Sequence, residues 1–150
     1  MEKFIGTKII EAEPAYRVDG KTVQPTTWPV PEGSIAEEGY AVRYPDGYMS
    51  WSPKDVFEEA YRRTDNLTFG LAIEAAKKGK RIARKGWNGK GQYVELAKAI
   101  SYESPTGAVV NAEHDAIGNQ ALAFVGTSGV QMGWLASQAD MLADDWVIVE

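Results

Sequence analysis

The sequence contains no cysteine and a single histidine. The first absence removes disulfides, thiolate nucleophiles and cysteine-based zinc sites. The second leaves His114, in "NAEHDAIG", without a partner for a nucleophilic triad or a nitrogen-sulfur metal site. It reads as a solvated surface residue. Long hydrophobic runs are missing too, and "MEKFIGTKIIEAEP" brings charge into the first dozen positions, so neither a membrane span nor a signal peptide is predicted. Positive charge is in deficit: 16 Lys and Arg stand against 21 Asp and Glu, a net charge of -5. A protein of that sign gains no global attraction to nucleic-acid phosphates, so DNA and RNA are not expected partners. Any anion it binds must be met by a local constellation.

What is present suits one domain or two small ones: 150 residues, 44% hydrophobic, enough to bury a core. The first half reads as strands and turns. Asp19-Gly20 in "YRVDGKTV" and Asp46-Gly47 in "AVRYPDGYMSW" lie between β-formers and predict hairpin turns. Between them "QPTTWPVPEGS" has three prolines and reads as a surface connection. Ser52, Pro53 and Asp55 then supply an N-cap, a first-turn proline and an acid at the third helical position, predicting a helix over 53–61 with apolar Val56, Phe57 and Ala60. Tyr40, Tyr44, Tyr48, Trp51 and Tyr61 read as core aromatics of this half.

A break at 63–67 separates a β-rich module, 1–65, from a second domain, 66–150. There a helix starts near Thr68, lines up Phe69, Ala72, Ile73 and Ala76, and stops at Gly79. "RIARKGW" and "QYVELA" follow, then an irregular stretch to Gln120, then β-rich "ALAFVG", "VQMGWL" and "DWVIVE", with Trp134 and Trp146 read as core. Ser137 and Asp140 repeat the capping-box pattern and predict one or two helical turns in "SQADMLAD". The fold class is α+β: a small antiparallel sheet against one main helix, preceded by a small β-rich domain with one short helix.

One stretch concentrates chemistry. "RIARKGWNGKG" sets Arg81, Arg84, Lys85 and Lys90 around Trp87 and three glycines. It is neither standard phosphate loop: a Walker loop ending at Gly89-Lys90 needs glycine at Arg84, and a dinucleotide fingerprint needs glycine at Val94. Asn88-Gly89 predicts a type I′ hairpin in which Trp87 faces Lys90 and Arg84 faces Tyr93. One reading is a soluble hairpin, with Trp87 tucked onto the sheet under Lys90. The other has Trp87 or Tyr93 stacking on a base, Arg84, Lys85 and Lys90 meeting phosphate oxygens, and Asn88 reading a base edge or ribose hydroxyl. Asp140, Asp144 and Asp145 admit a magnesium site, and with it a metal-assisted nucleotide hydrolase. A third class is an adaptor or structural phage module that uses the aromatic N-terminal half.

The stretches "LTFGLAIEAAKKGKRIARKGWNGKGQYVEL" (67–96) and "GWLASQADMLADDWVIVE" (133–150) resemble the two ends of the second Thoeris anti-defence family, small bacteriophage nucleotide sponges. The resemblance implies binding without chemistry, by a homotetramer in the host bacterial cytoplasm. The implied ligand is glycocyclic ADP-ribose, the signal of bacterial TIR enzymes, with cyclic dinucleotides or trinucleotides as further ligands. Capture would block Thoeris effectors and, for the latter ligands, CBASS effectors. The resemblance places Arg84, Lys85, Trp87 and Asn88 in the first motif and Ser137, Gln138 and Asp140 in the second; with Phe69, Gly89, Lys90 and Tyr93 they form the expected ligand-binding set, with no catalytic residue, metal or cofactor. The two motifs are expected to meet at a pocket between protomers. Gln92, where many members carry an apolar residue, and the middle stretch depart from the pattern and leave ligand preference open. "GYAVRYPDGYMSWSPKDVFEEAYR" resembles a module at the front of other small phage proteins.

Overall fold

A computed structural model describes residues 1–87 and 91–150. The chain forms two compact units, Met1–Arg62 and Arg63–Glu150. Its described parts are antiparallel sheets with three helices, in keeping with the α+β expectation.

The first unit is a four-stranded antiparallel sheet in the order β2-β1-β3-β4, built from β1 (Glu11–Val18), β2 (Thr22–Pro25), β3 (Ala36–Arg43) and β4 (Met49–Pro53). Both Asp-Gly turns form as expected. Asp19 and Gly20 have φ of 52° and 68°, both left-handed, in the three-residue turn between Val18 and its partner Thr22. Gly47, at φ 89°, donates its N–H to the Tyr44 carbonyl at the β3–β4 turn. Most of the proline-rich segment is a connection, but Pro25 closes β2, where an edge strand tolerates the missing donor.

The helix α1 (Lys54–Ala60) corrects the expected capping. Pro53, not Ser52, is the N-cap, and no side chain caps the helix, because Ser52 still belongs to β4 and pairs with Tyr40. The aromatics pack in part as expected. Phe57 stacks between Tyr40 (4.1 Å) and Tyr61 (5.0 Å), while Tyr48 and Val56 stay exposed. The Trp51 ring lies against Gly39, donates its indole N–H to the Ala15 carbonyl and carries the Arg17 guanidinium over it. A Cβ on Gly39 would sit 2.2 Å from the Ser52 carbonyl oxygen and 2.4 Å from the Trp51 ring.

The second unit is a five-stranded antiparallel sheet, order β10-β9-β6-β5-β11, from β5 (Arg81–Arg84), β6 (Tyr93–Ala97), β9 (Ala121–Gly126), β10 (Gly129–Met132) and β11 (Trp146–Val149). The helix α2 (Phe69–Lys77) forms as predicted: the Thr68 hydroxyl accepts from the Leu71 N–H at 3.4 Å, Lys77 suits the negative end of the dipole, and Gly79 leaves at φ 89°. Ala72, Ala75 and Ala76 are buried, and their small side chains let α2 lie close on Ile82, Val94 and Trp146. The segment before α2 closes one sheet edge. Leu67 and Trp146 exchange backbone bonds of 2.7 and 3.1 Å, and the Ile148 N–H reaches the Thr64 carbonyl.

The register corrects one expectation. Ile82 pairs with Val94, one residue from the alignment that would set Arg84 opposite Tyr93. The core decides this, since paired residues share a face and both Ile82 and Val94 are fully buried under α2. The expected type I′ turn at Asn88-Gly89, and Lys90 over Trp87, lie outside the described residues. Between Ala97 and Gln120 the chain is less irregular than expected. A small hairpin of β7 (Tyr102–Glu103) and β8 (Val109–Val110) stands there, and the Asn111 and Asn119 amides tie its base to the Ile100 and His114 backbone. His114 itself is exposed at φ 56°.

Gly39→Ala is expected to cost about 1–3 kcal/mol, since backbone and an immobile indole must both give way. Thermal unfolding against Gly70→Ala, a position in α2 with open space around its Cβ and no positive φ, checks that the loss is steric: the Gly70 variant should show none.

Candidate functional site

The site candidate lies at the end of the second unit where β5 runs out. Trp87 follows β5 in a turn, its N–H bonded to the Arg84 carbonyl at 3.2 Å. Its ring meets Phe124 (5.4 Å), Trp134 (5.9 Å) and Trp146 (5.4 Å), and Phe69 packs on Trp146 at 5.3 Å. Only Trp146 is fully buried. Trp87, Trp134, Phe124 and Phe69 keep part of their surface in solvent, so the cluster is both core and open wall. Edge-to-face pairs of this kind contribute about 0.5–1.5 kcal/mol each beyond their burial, which holds the rings in fixed orientations.

Beside this wall Arg84 joins the two sequence motifs. Its Nε and Nη2 grip the Asp145 carboxylate at 2.9 and 3.5 Å, and Nη1 reaches Asp140 Oδ1 at 3.1 Å. Arg84 is thus the hub between β5, α3 (Gln138–Leu142) and the entry to β11. The predicted capping box is present in full: the Ser137 hydroxyl accepts from the Asp140 N–H, and Asp140 Oδ2 accepts from the Ser137 N–H, both at 3.1 Å. The Asp140 carbonyl also receives the Trp146 indole N–H at 2.8 Å. Carboxylate, cap, cation and aromatic wall therefore form one connected object.

The titration of these groups follows from the contacts. The carboxylates of Asp145 and Asp140 raise the Arg84 guanidinium above its ordinary value. For Asp140, partial burial pushes the carboxyl up, but the Ser137 N–H and hydroxyl, together with Arg84, outweigh it and hold the group below the ordinary carboxylate range.

The expected ligand set divides accordingly. Phe69, Arg84, Trp87, Ser137 and Asp140 come together; Gln138 opens α3 and Lys85 follows β5, both exposed. Among the described residues Lys85 carries no ion pair. Tyr93 is placed elsewhere. It precedes Val94, which points to the α2 side, so Tyr93 projects from the opposite sheet face, where Arg81 lies 4.7 Å over its ring. Asn88, Gly89 and Lys90 lie outside the described residues. Two residues at the site have other roles in the sequence reading: Trp134 reads as core and Asp145 as a magnesium candidate, although both lie inside the second motif. The magnesium reading also meets a physical obstacle: Arg84 already pairs with both the Asp140 and the Asp145 carboxylates, and no metal-type cluster of three acidic, His or Cys side chains occurs among the described residues. In the first unit, a shallow groove of about 300 Å3 lined by Glu11, Glu13, Arg43 and Met49 offers no aromatic wall.

Comparison with known proteins bears on this same unit. The family described as Thoeris anti-defense 2-like domain matches residues 67–149. The chain belongs to that Thoeris anti-defense 2-like family. A Thoeris anti-defense 2 protein of Bacillus phage SP01 is 35% identical over 88 residues, covering 55% of this chain and 94% of the relative. The family assignment bears out the resemblance read from the two motifs, and the matched span holds every residue of the wall and of the Arg84 hub. Residues before Leu67 lie outside it.

Two outcomes are expected at this site. Ser137→Ala should cost about 1 kcal/mol as a lost N-cap. Because the folded-state value of Asp140 is depressed, its contribution is complete above the ordinary carboxylate range, near about pH 4, and disappears as pH falls through the lower folded value. Asp140→Asn should therefore unfold at lower temperature than wild type at neutral pH, and the gap should close on acidification. A gap independent of pH would show that the carboxylate charge does not matter.

Proposed function

We propose that the second unit binds a cyclic nucleotide immune signal, with glycocyclic ADP-ribose as the main candidate, and returns it chemically unchanged. Sequestration in the infected host's cytoplasm would keep the signal from its Thoeris effector. Cyclic dinucleotides or trinucleotides, the signals of CBASS effectors, share the same stacking and anionic chemistry. The observation that carries the reading is the junction of the family's two motifs: Arg84 clamped by Asp140 and Asp145 beside the half-open Trp87–Trp134 wall.

The chemistry suits a captured nucleotide better than a converted one. Aromatic faces give a base about 1–3 kcal/mol each by stacking. Lys85 supplies a cation with no internal partner among the described residues, as a phosphate oxygen requires. Arg84 acts by holding the wall and the α3 turn in register. A sponge must win at low signal concentration, so its affinity should be nanomolar, on the order of -12 kcal/mol, and that needs an enclosed pocket. A single wall does not enclose; several copies of the chain, as a homotetramer, would complete it.

The test is release. Protein incubated with glycocyclic ADP-ribose should deplete it from solution, and heat denaturation should return the unaltered molecule to the supernatant, as read by mass spectrometry. Trp87→Ala should weaken binding by roughly 10- to 100-fold. Ligand that is never depleted, or that returns chemically altered, contradicts the proposal.

A further inference from the structure

Along β6, β9 and β10, the sheet face that bears the aromatic wall carries Val94, Leu96, Leu122 and Phe124, and two glutamines. Tyr93 pairs with Val125 and Val94 with Phe124, so Gln92 stands one step on, beside Gly126, and shares the face of Val94. Gln131 pairs with Phe124 from the edge strand β10 and shares that face as well. The helix α2 packs over β5, β6 and β11, while the Phe124 ring meets Trp87. Gly126 shapes this corner. A Cβ there would stand 2.9 Å from Phe124 Cε1, closer than side chains pack, so the ring occupies space that only glycine leaves free. Gln92 Nε2 lies 3.8 Å from the same point. The Phe124 ring thus has a carboxamide at two of its sides, Gln92 across Gly126 and Gln131 on the neighbouring strand, where opposed Cβ atoms are about 5 Å apart. Gln92 is half-buried and Gln131 exposed, and neither amide has a hydrogen-bond partner among the described residues.

We infer that Gln92 and Gln131 read the edge of a base stacked on the Phe124–Trp87 part of the wall, and that they select adenine. An aromatic face alone does not discriminate, since every base has a π-face to stack. Selection needs hydrogen bonds in the plane of the base, and a carboxamide brings a donor and an acceptor side by side. Adenine answers that pair with its N7 acceptor and its N6 amine, the two-bond match that glutamine makes. A purine with a carbonyl at position 6 presents two acceptors on that edge, so the amide oxygen loses its partner. A lost bond of this kind is costly beside rings, where less water is at hand to replace it. The inference rests on the preceding reading that this wall receives a nucleotide, and adds which base it prefers and which residues decide.

The experiment is calorimetric titration of the full chain with glycocyclic ADP-ribose and with its hypoxanthine counterpart, in which the adenine amine is replaced by a carbonyl oxygen. Wild type should bind the adenine form roughly 10- to 100-fold more tightly. Gln92→Met and Gln131→Met keep the side-chain length and remove the amide; each should bring the two affinities closer, and the double variant should bind both ligands about equally. Circular dichroism checks each fold. The ratio of affinities separates reading from support, because a residue that only shapes the wall would weaken both ligands alike. Wild type that binds both forms equally, or folded variants that keep the wild-type ratio, overturn the inference and leave nucleotide capture intact. Wild type that binds neither form overturns the preceding reading, and this one with it.

Discussion

The second unit depends on one ion cluster. Arg84 ends β5, and by holding Asp145 with two nitrogens and Asp140 with a third it determines where the chain goes on both sides of the sheet's end. The turn carrying Trp87 leaves from Arg84 itself, and Asp140 locks the first turn of α3 while its carbonyl anchors the Trp146 indole. A planar guanidinium suits this junction because it satisfies two carboxylates in fixed directions, which a lysine cannot do. The cluster is partly buried, with side-chain exposures of 23% for Arg84 and 16% for Asp140, so solvent screens it less than a surface pair.

That arrangement changes how the cationic stretch is understood. Four positive side chains in eleven residues suggest a phosphate grip, but the fold sends the three described ones, Arg81, Arg84 and Lys85, to different places. Arg81 goes to the far face with Tyr93 and Glu95, and Arg84 is consumed internally. Lys85 remains at the surface, in the turn that follows β5. The nucleotide reading therefore rests on few charges and several rings, which suits a compact cyclic ligand better than a polyanionic strand.

Much of the fold could be read in advance where local chemistry is decisive. Thr68 and Gly79 bound α2, Asp19-Gly20 and Asp46-Gly47 turn the hairpins, and Ser137 with Asp140 caps α3, because each depends on neighbours within four residues. Where the sequence misled, a distant partner decided. Ser52 looked like an N-cap but pairs with Tyr40 in β4, and Arg84 looked free for phosphate until Asp145, 61 positions on, claimed it. The β5–β6 register depended on Ile82 and Val94 sharing the α2 face, which no turn rule specifies. The roles of Trp134 and Asp145 were hidden in the same way, since their partners lie on other strands.

The central claim is that the wall built from Trp87 and Trp134 receives a cyclic nucleotide. Calorimetric titration of glycocyclic ADP-ribose into the full chain, with tryptophan fluorescence followed in parallel, tests it most directly. The account predicts saturable binding with a dissociation constant in the nanomolar range, about -12 kcal/mol, and a change in tryptophan emission at the same stoichiometry. Absence of heat and of any emission change at micromolar protein and ligand would contradict it.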